Sequence, residues 1–116
     1  MREPGSFLLL LNGEIGDAGL VRRLARACRC LICADGGARH ALRLSLVPDV
    51  VVGDMDSIPR PLSRRWKNTG YCCDFDEDAS DFEKALRFVA GAGCRRLYVA
   101  GFFGGRLDHA LVNLAL

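Results

Sequence analysis

Short apolar runs alternate with amphipathic stretches along this chain, and the alternation predicts strands and helices in turn. Phe7-Leu8-Leu9-Leu10-Leu11 is a continuous apolar run of strand length, followed by Asn12-Gly13. Asp17 is placed to cap a helix reaching about Arg29. That helix has Val21, Leu24, Ala25 and Cys28 on one stripe and Arg22, Arg23, Arg26 and Arg29 on the other. Leu31 to Ala34 reads as a second strand, Asp35-Gly36-Gly37 as its loop, and Ala38 to Leu44 as a short helix. Val50 to Val52 is a third strand, and Pro59 or Pro61 opens a helix through Trp66. Tyr71-Cys72-Cys73 is a weaker fourth strand. Ser80-Asp81-Phe82-Glu83 has the form of a capping box, and the helix it opens carries Phe82, Ala85, Leu86 and Val89 on its inner face. Leu97 to Ala100 is a fifth strand, Gly101 to Arg106 its loop, and a last helix is predicted from near Asp108.

Continuous apolar strands separated by helices indicate a sheet covered on both faces. The expectation is a three-layer α/β/α, Rossmann-like domain with a mainly parallel sheet. The 116 residues suit one domain, 1–116. The run Ala110 to Leu116 shows no helix-stop signal, and its pattern is expected to continue in a longer chain.

Composition narrows the function classes. A hydrophobic share of 50% sets disorder aside, and a net charge of +2 is too small to argue for nucleic acid or a membrane surface. The first apolar run is far too short for a membrane span or a signal-peptide core. Six cysteines without such a leader argue for a reducing compartment, hence a cytoplasmic protein. Cys28, Cys30 and Cys33 are close in sequence, but Cys30 and Cys33 lie an odd number apart on a strand and face opposite ways. They read as structural thiols rather than zinc ligands.

The acids are unevenly spread. Ten of the fourteen (Asp35, Asp49, Asp54, Asp56, Asp74, Asp76, Glu77, Asp78, Asp81 and Asp108) fall in or beside predicted loops, which reads as a cation site. The most informative run is Pro48 to Ser57. A short buried strand ends in Gly53, and Asp54 and Asp56 follow at its carboxyl end, where ligands bind in α/β sheets. Such a D-x-D pair suits Mg²⁺, which takes carboxylate oxygens and shares its remaining positions with water and phosphates. Every motif-bearing loop follows a strand. Asn12-Gly13, Asp35-Gly36-Gly37 and Gly104-Gly105 let backbone N–H groups approach phosphate oxygens, and Arg106 can bridge two of them. Carboxylates for a metal, with glycines and arginine for phosphates, are the parts of phosphoryl-type transfer. Gly36-Gly37 alone is more often a strand-to-helix turn, and Ser80 and Glu83 read as a cap; Asp81 is also favoured by the helix dipole, but beside the other acids it reads as a metal ligand. His40 and His109 fall on predicted helices with no evident partner. No Walker P-loop, protein-kinase signature or G-x-G-x-x-G opening occurs.

Taken in order, these motifs resemble thiamin pyrophosphokinase. They are Asn12-Gly13, Ala34 to Ala38, Pro48-Asp49 through Gly53-Asp54-Met55-Asp56-Ser57-Ile58, Asp76 through Asp81 with Lys84, and Gly104-Gly105-Arg106-Leu107-Asp108-His109 with Asn113. The resemblance implies Mg²⁺-dependent transfer of a pyrophosphoryl group from ATP to thiamin, giving thiamin diphosphate and AMP. It implies Asp54, Asp56 and Asp81 as metal-binding acids, with Asp35, Arg106 and Asp108 around the nucleotide and its phosphates. It also implies a homodimer of full-length chains, each with a C-terminal β-sandwich that helps to bind thiamin and that this chain lacks. Arg39 departs from a common Asn, and Glu77 and Ser80 from a common Gln and Thr. Two alternatives remain: a Mg–nucleotide-binding fragment without activity alone, and a nucleotide-sugar glycosyltransferase using D-x-D. The second does not call for Gly104-Gly105-Arg106-x-Asp108-His109.

Overall fold

β1 (Glu3–Leu10) is the hub of the sheet because its apolar run is buried from both sides: Leu8, Leu9 and Leu10 are each 0% exposed. The computed structural model describes residues 3–34, 36–53, 66–74 and 76–102, together with the main chain of 109–113. α1 (Ala18–Ala27) leads to β2 (Cys28–Ala34), and α2 (Gly37–Arg43) to β3 (Val50–Gly53). β4 (Gly70–Cys73), α3 (Asp81–Ala90), β5 (Arg96–Ala100) and β6 (His109–Asn113) complete the order. The sheet runs β4-β3-β2-β1-β5-β6. Its first five strands are parallel, as continuous apolar strands require when helices cover both faces.

Alternation along each strand sorts the core into two layers. Leu8, Leu10, Leu31, Cys33 and Val51 pack on one face with Val21 of α1, Ala38 and Ala41 of α2, and Trp66. Phe7, Leu9, Ile32, Val52, Leu97 and Val99 pack on the other with Ala85 and Val89 of α3. The three-layer α/β/α expectation holds. Cys30 and Cys33 divide between the two layers, as their odd spacing demands.

The sequence reading needs correction in four places. The apolar stretch from His109 is a strand, not a helix. β6 runs antiparallel to β5, with Ala100 opposite His109 and Arg96 opposite Asn113. Pairing along the open side of β5 overrides the helix propensity of an Ala- and Leu-containing run, because propensity is a weak prior against tertiary context. Arg29 and Cys28 belong to β2 rather than to the preceding helix, because the chain enters the sheet directly at Cys28. Asp49 does not join a cation site. Its Oδ2 accepts the Leu31 N–H at 2.7 Å at the amino end of β3, stitching β3 to β2. His40 has two partners, described below. The helix predicted from Pro59 or Pro61 lies outside the described residues.

Candidate functional site

From β1 the chain steps outward through β2, β3 and β4, then returns to the opposite side of β1 as β5. The connections therefore diverge between β1 and β5. In an open α/β sheet that switch point opens a crevice beyond the carboxyl ends of the strands. Asn12 and Gly13 leave β1 there, and Gly101 and Phe102 leave β5. The two backbones are tied together: Leu11 N–H donates to Ala100 O and Gly13 N–H to Gly101 O, both at 2.8 Å.

Glycine is needed at this point for close approach. Gly101 has φ +77°, and a Cβ on it would press on Leu11 O and, at 3.1 Å, on Gly13 O. A Cβ on Gly37 would overlap the carbonyl of Leu10, and one on Gly36 the Asn12 side chain. The start of α2 therefore rests on the end of β1 backbone to backbone. His40 locks the arrangement. Its Nδ1 accepts from Arg43 Nη2 at 2.6 Å, because arginine can only donate, so Nε2 carries the proton and donates to Gly13 O at 2.6 Å. Sequence reading missed this clamp. The available signal was position: His40 shares the buried face of α2 with Gly37 and Ala41.

A second group of residues surrounds the start of α3. Ser80 caps it, accepting the Glu83 N–H at 3.1 Å, and Asp81 is its first residue. The acidic loop before it is not a free cluster of carboxylates. Asp74 accepts the Asp76 N–H at 3.1 Å, and Asp76 the Asp78 N–H at 3.0 Å. Arg87 bonds to Asp76 at 2.9 Å and to Asp74 at 3.4 Å. The Arg87 hydrogen bond, aided by the Asp78 N–H, holds the Asp76 carboxyl below the usual carboxylate range. Asp74 and Asp76 are thus taken up by Arg87. Lys84 of the same helix is buried at 7% exposure.

Among the described residues no three His, Cys, Asp or Glu side chains gather as a metal site. Asp35, Asp54, Asp56, Gly104, Gly105, Arg106 and Asp108 lie outside the described residues. Their flanks are described. Gly53 ends β3 at the same sheet edge as Leu11 and Gly101, and α3, which Asp81 opens, packs on β3. Ala100 and His109 pair across β5 and β6, so the connection between them begins and ends at that edge. Carboxylate oxygens are the donor chemistry that Mg²⁺ takes, and Asp81 at the start of α3 supplies one at this edge. A cavity of about 490 Å³ is elsewhere. It lies at the amino edge of the strands, between Phe7, Arg29, Asp49 and Gly93.

Comparison with known proteins agrees with this fold. The family described as "Thiamin pyrophosphokinase, catalytic domain" matches residues 21–116. Thiamine pyrophosphokinase 1 of Oryza sativa subsp. japonica is 32% identical over 74% of this chain, which spans 42% of that protein. Among solved structures, thiamin pyrophosphokinase from Candida albicans superposes with a TM-score of 0.59 at 28% identity. That match covers 72% of this chain and 30% of the fungal one. The fold also matches thiamin pyrophosphokinase from Geobacillus thermodenitrificans (TM-score 0.68, 22% identity), over 89% of this chain and 49% of that one. The chain spans half or less of the length of these proteins. With a family match over residues 21–116 and the same sheet, this chain belongs to the thiamin pyrophosphokinase catalytic-domain family.

Proposed function

We propose that the crevice between β1 and β5 takes the ATP of a thiamin diphosphokinase reaction, in which a pyrophosphoryl group passes from ATP to the hydroxyethyl oxygen of thiamin. The products, thiamin diphosphate and AMP, require that oxygen to bond to the β-phosphorus. The α–β bridge breaks with its electrons on AMP, and the hydroxyl proton is lost. The observation that carries the reading is the family match over residues 21–116, joined to the close glycine contacts of Gly36, Gly37 and Gly101 at the switch point of the sheet, where such sheets bind ligands.

In this reading Asn12, Gly13, Asp35, Gly36, Gly37, Gly104 and Gly105 cradle the nucleotide. Asp54, Asp56 and Asp81 hold Mg²⁺, which when bound neutralises phosphate charge. Arg106 grips the transferred group through its planar fork, and Asp108 lies beside it. The His40 clamp fixes the Asn12-Gly13 turn on which the crevice depends. The partner molecules are thiamin and ATP, the assembly is a homodimer of full-length chains, and the compartment is cytoplasmic. Thiamin sits against a second, β-rich domain.

The 42% coverage of the rice protein favours one second reading, in which this chain binds Mg–ATP without turning thiamin over. Calorimetry of the purified chain with Mg–ATP and with thiamin, plus an assay for AMP, separates the two. Mg–ATP binding that EDTA abolishes is expected in both, and AMP released only when thiamin is present marks the first. A chain that binds no Mg–ATP would overturn both.

A further inference from the structure

Lysine is almost never buried without a partner, because removing an ammonium from water costs far more than its stem recovers. Lys84 is such a residue. It is 7% exposed, and among the described residues no acceptor hydrogen-bonds to its ammonium. It belongs to α3, between the buried Ala85 and the exposed Glu83. Arg87, on the exposed flank of the helix, takes Asp74 and Asp76.

The direction of the side chain follows from the helix. Long helical side chains incline toward the N-terminus and cover the preceding turn, so Lys84 reaches over Asp81 and the start of α3. α3 is a crossover helix between parallel strands, so its start lies at the carboxyl edge of the sheet. It packs there on β3, whose last residue, Gly53, precedes Asp54.

We infer that Lys84 is a phosphate ligand of this site, its ammonium donating to oxygens of the polyphosphate that enters the crevice. The inference rests on the nucleotide reading above. A cation at 7% exposure whose ammonium has no hydrogen-bonded acceptor among the described residues is costly in the free protein, and an arriving polyanion offsets that cost. Lysine serves such a position as a compact point charge on a flexible stem. The other lysine of the chain, Lys67, is exposed and provides an internal control.

The test compares the wild-type chain with Lys84→Met, which keeps the stem and removes the charge. Binding of Mg–ATP, Mg–pyrophosphate and adenosine is measured by calorimetry and ligand-observed NMR, and the thermal midpoint is followed alongside. Affinity for the two phosphate ligands should fall about tenfold to a hundredfold, as for a lost charged hydrogen bond. Adenosine binding should be unchanged, and the midpoint should stay level or rise, because a buried charge is gone. Unchanged phosphate affinity overturns the inference alone. A wild-type chain that binds neither phosphate ligand overturns the nucleotide reading together with it. If Lys84→Met does not fold, reductive methylation of the wild-type chain decides. Mg–pyrophosphate should slow labelling of Lys84 and not of Lys67, and equal labelling with and without ligand overturns the inference.

Discussion

At the residue scale the site depends on atoms that are absent. Gly37 has no Cβ where one would overlap the Leu10 carbonyl, so Gly37→Ala must push α2 off β1. Gly93 is a useful contrast. It has φ +77° but nothing within 4 Å of its missing Cβ, so Gly93→Ala costs only backbone strain, about 1 kcal/mol. Gly37→Ala should cost about 2 kcal/mol or more, as overpacking does, and weaken Mg–ATP binding as well. Urea unfolding of both variants checks the order, and equal losses would show that α2 can shift freely. Buried thiols make a separate prediction. Desolvation raises Cys28, Cys33 and Cys94 above the ordinary 9.0. The folded state therefore keeps protons that the unfolded chain releases. The stability they contribute is fully present below about pH 9 and is lost as pH rises beyond it toward the raised folded values. The thermal midpoint should fall in that alkaline window, and exposed Cys73 should alkylate well before Cys33 at pH 8. Early labelling of Cys33 would count against the burial argument.

At the element scale most of the fold was legible. β1, β2, β3 and β5 are apolar runs too short for helices, and α1 and α3 begin where Asp17 and Ser80 announce them. Both caps are realised: Asp17 accepts the Leu20 N–H at 2.9 Å, and Ser80 that of Glu83 at 3.1 Å. Replacing either with Ala should cost about 1 kcal/mol, read from urea midpoints at constant slope. Two features stayed hidden, and both are long-range. β6 carries the composition of a helix, and only the open side of β5 makes it a strand. The His40 clamp joins residues 27 apart in sequence, so no local pattern reveals it. Carboxylates misled in the same way. Asp49 and Asp76 look like ligands by type, yet one stitches two strands and the other pairs with Arg87. Residue type shows which chemistry is possible, and topology decides which carboxylates are left for it.

At the scale of the whole molecule, the crossover from β4 back to β5 matters most, because it brings the carboxyl ends of β1, β3 and β5, distant in sequence, to one sheet edge. A site assembled this way should show coupling between residues that are remote in sequence. Asp54 and Asp81 provide the sharpest test, because Asp81 has a purely structural alternative as the first residue of α3. If the helix dipole is its whole role, Asp81→Asn should cost about 0.3–1 kcal/mol of stability. Its effect on Mg–ATP binding should then simply add to that of Asp54→Asn. If the two carboxylates share one Mg²⁺, each single change should lower Mg–ATP affinity by orders of magnitude. The double variant should lose much less than the sum, because the ion is already gone after the first substitution. We expect the second pattern, measured as a double-mutant cycle by calorimetry at fixed free Mg²⁺. Strict additivity, with unfolding stability reduced only in the Asp81 variants, would make Asp81 a helix-start residue and leave the metal to Asp54 and Asp56.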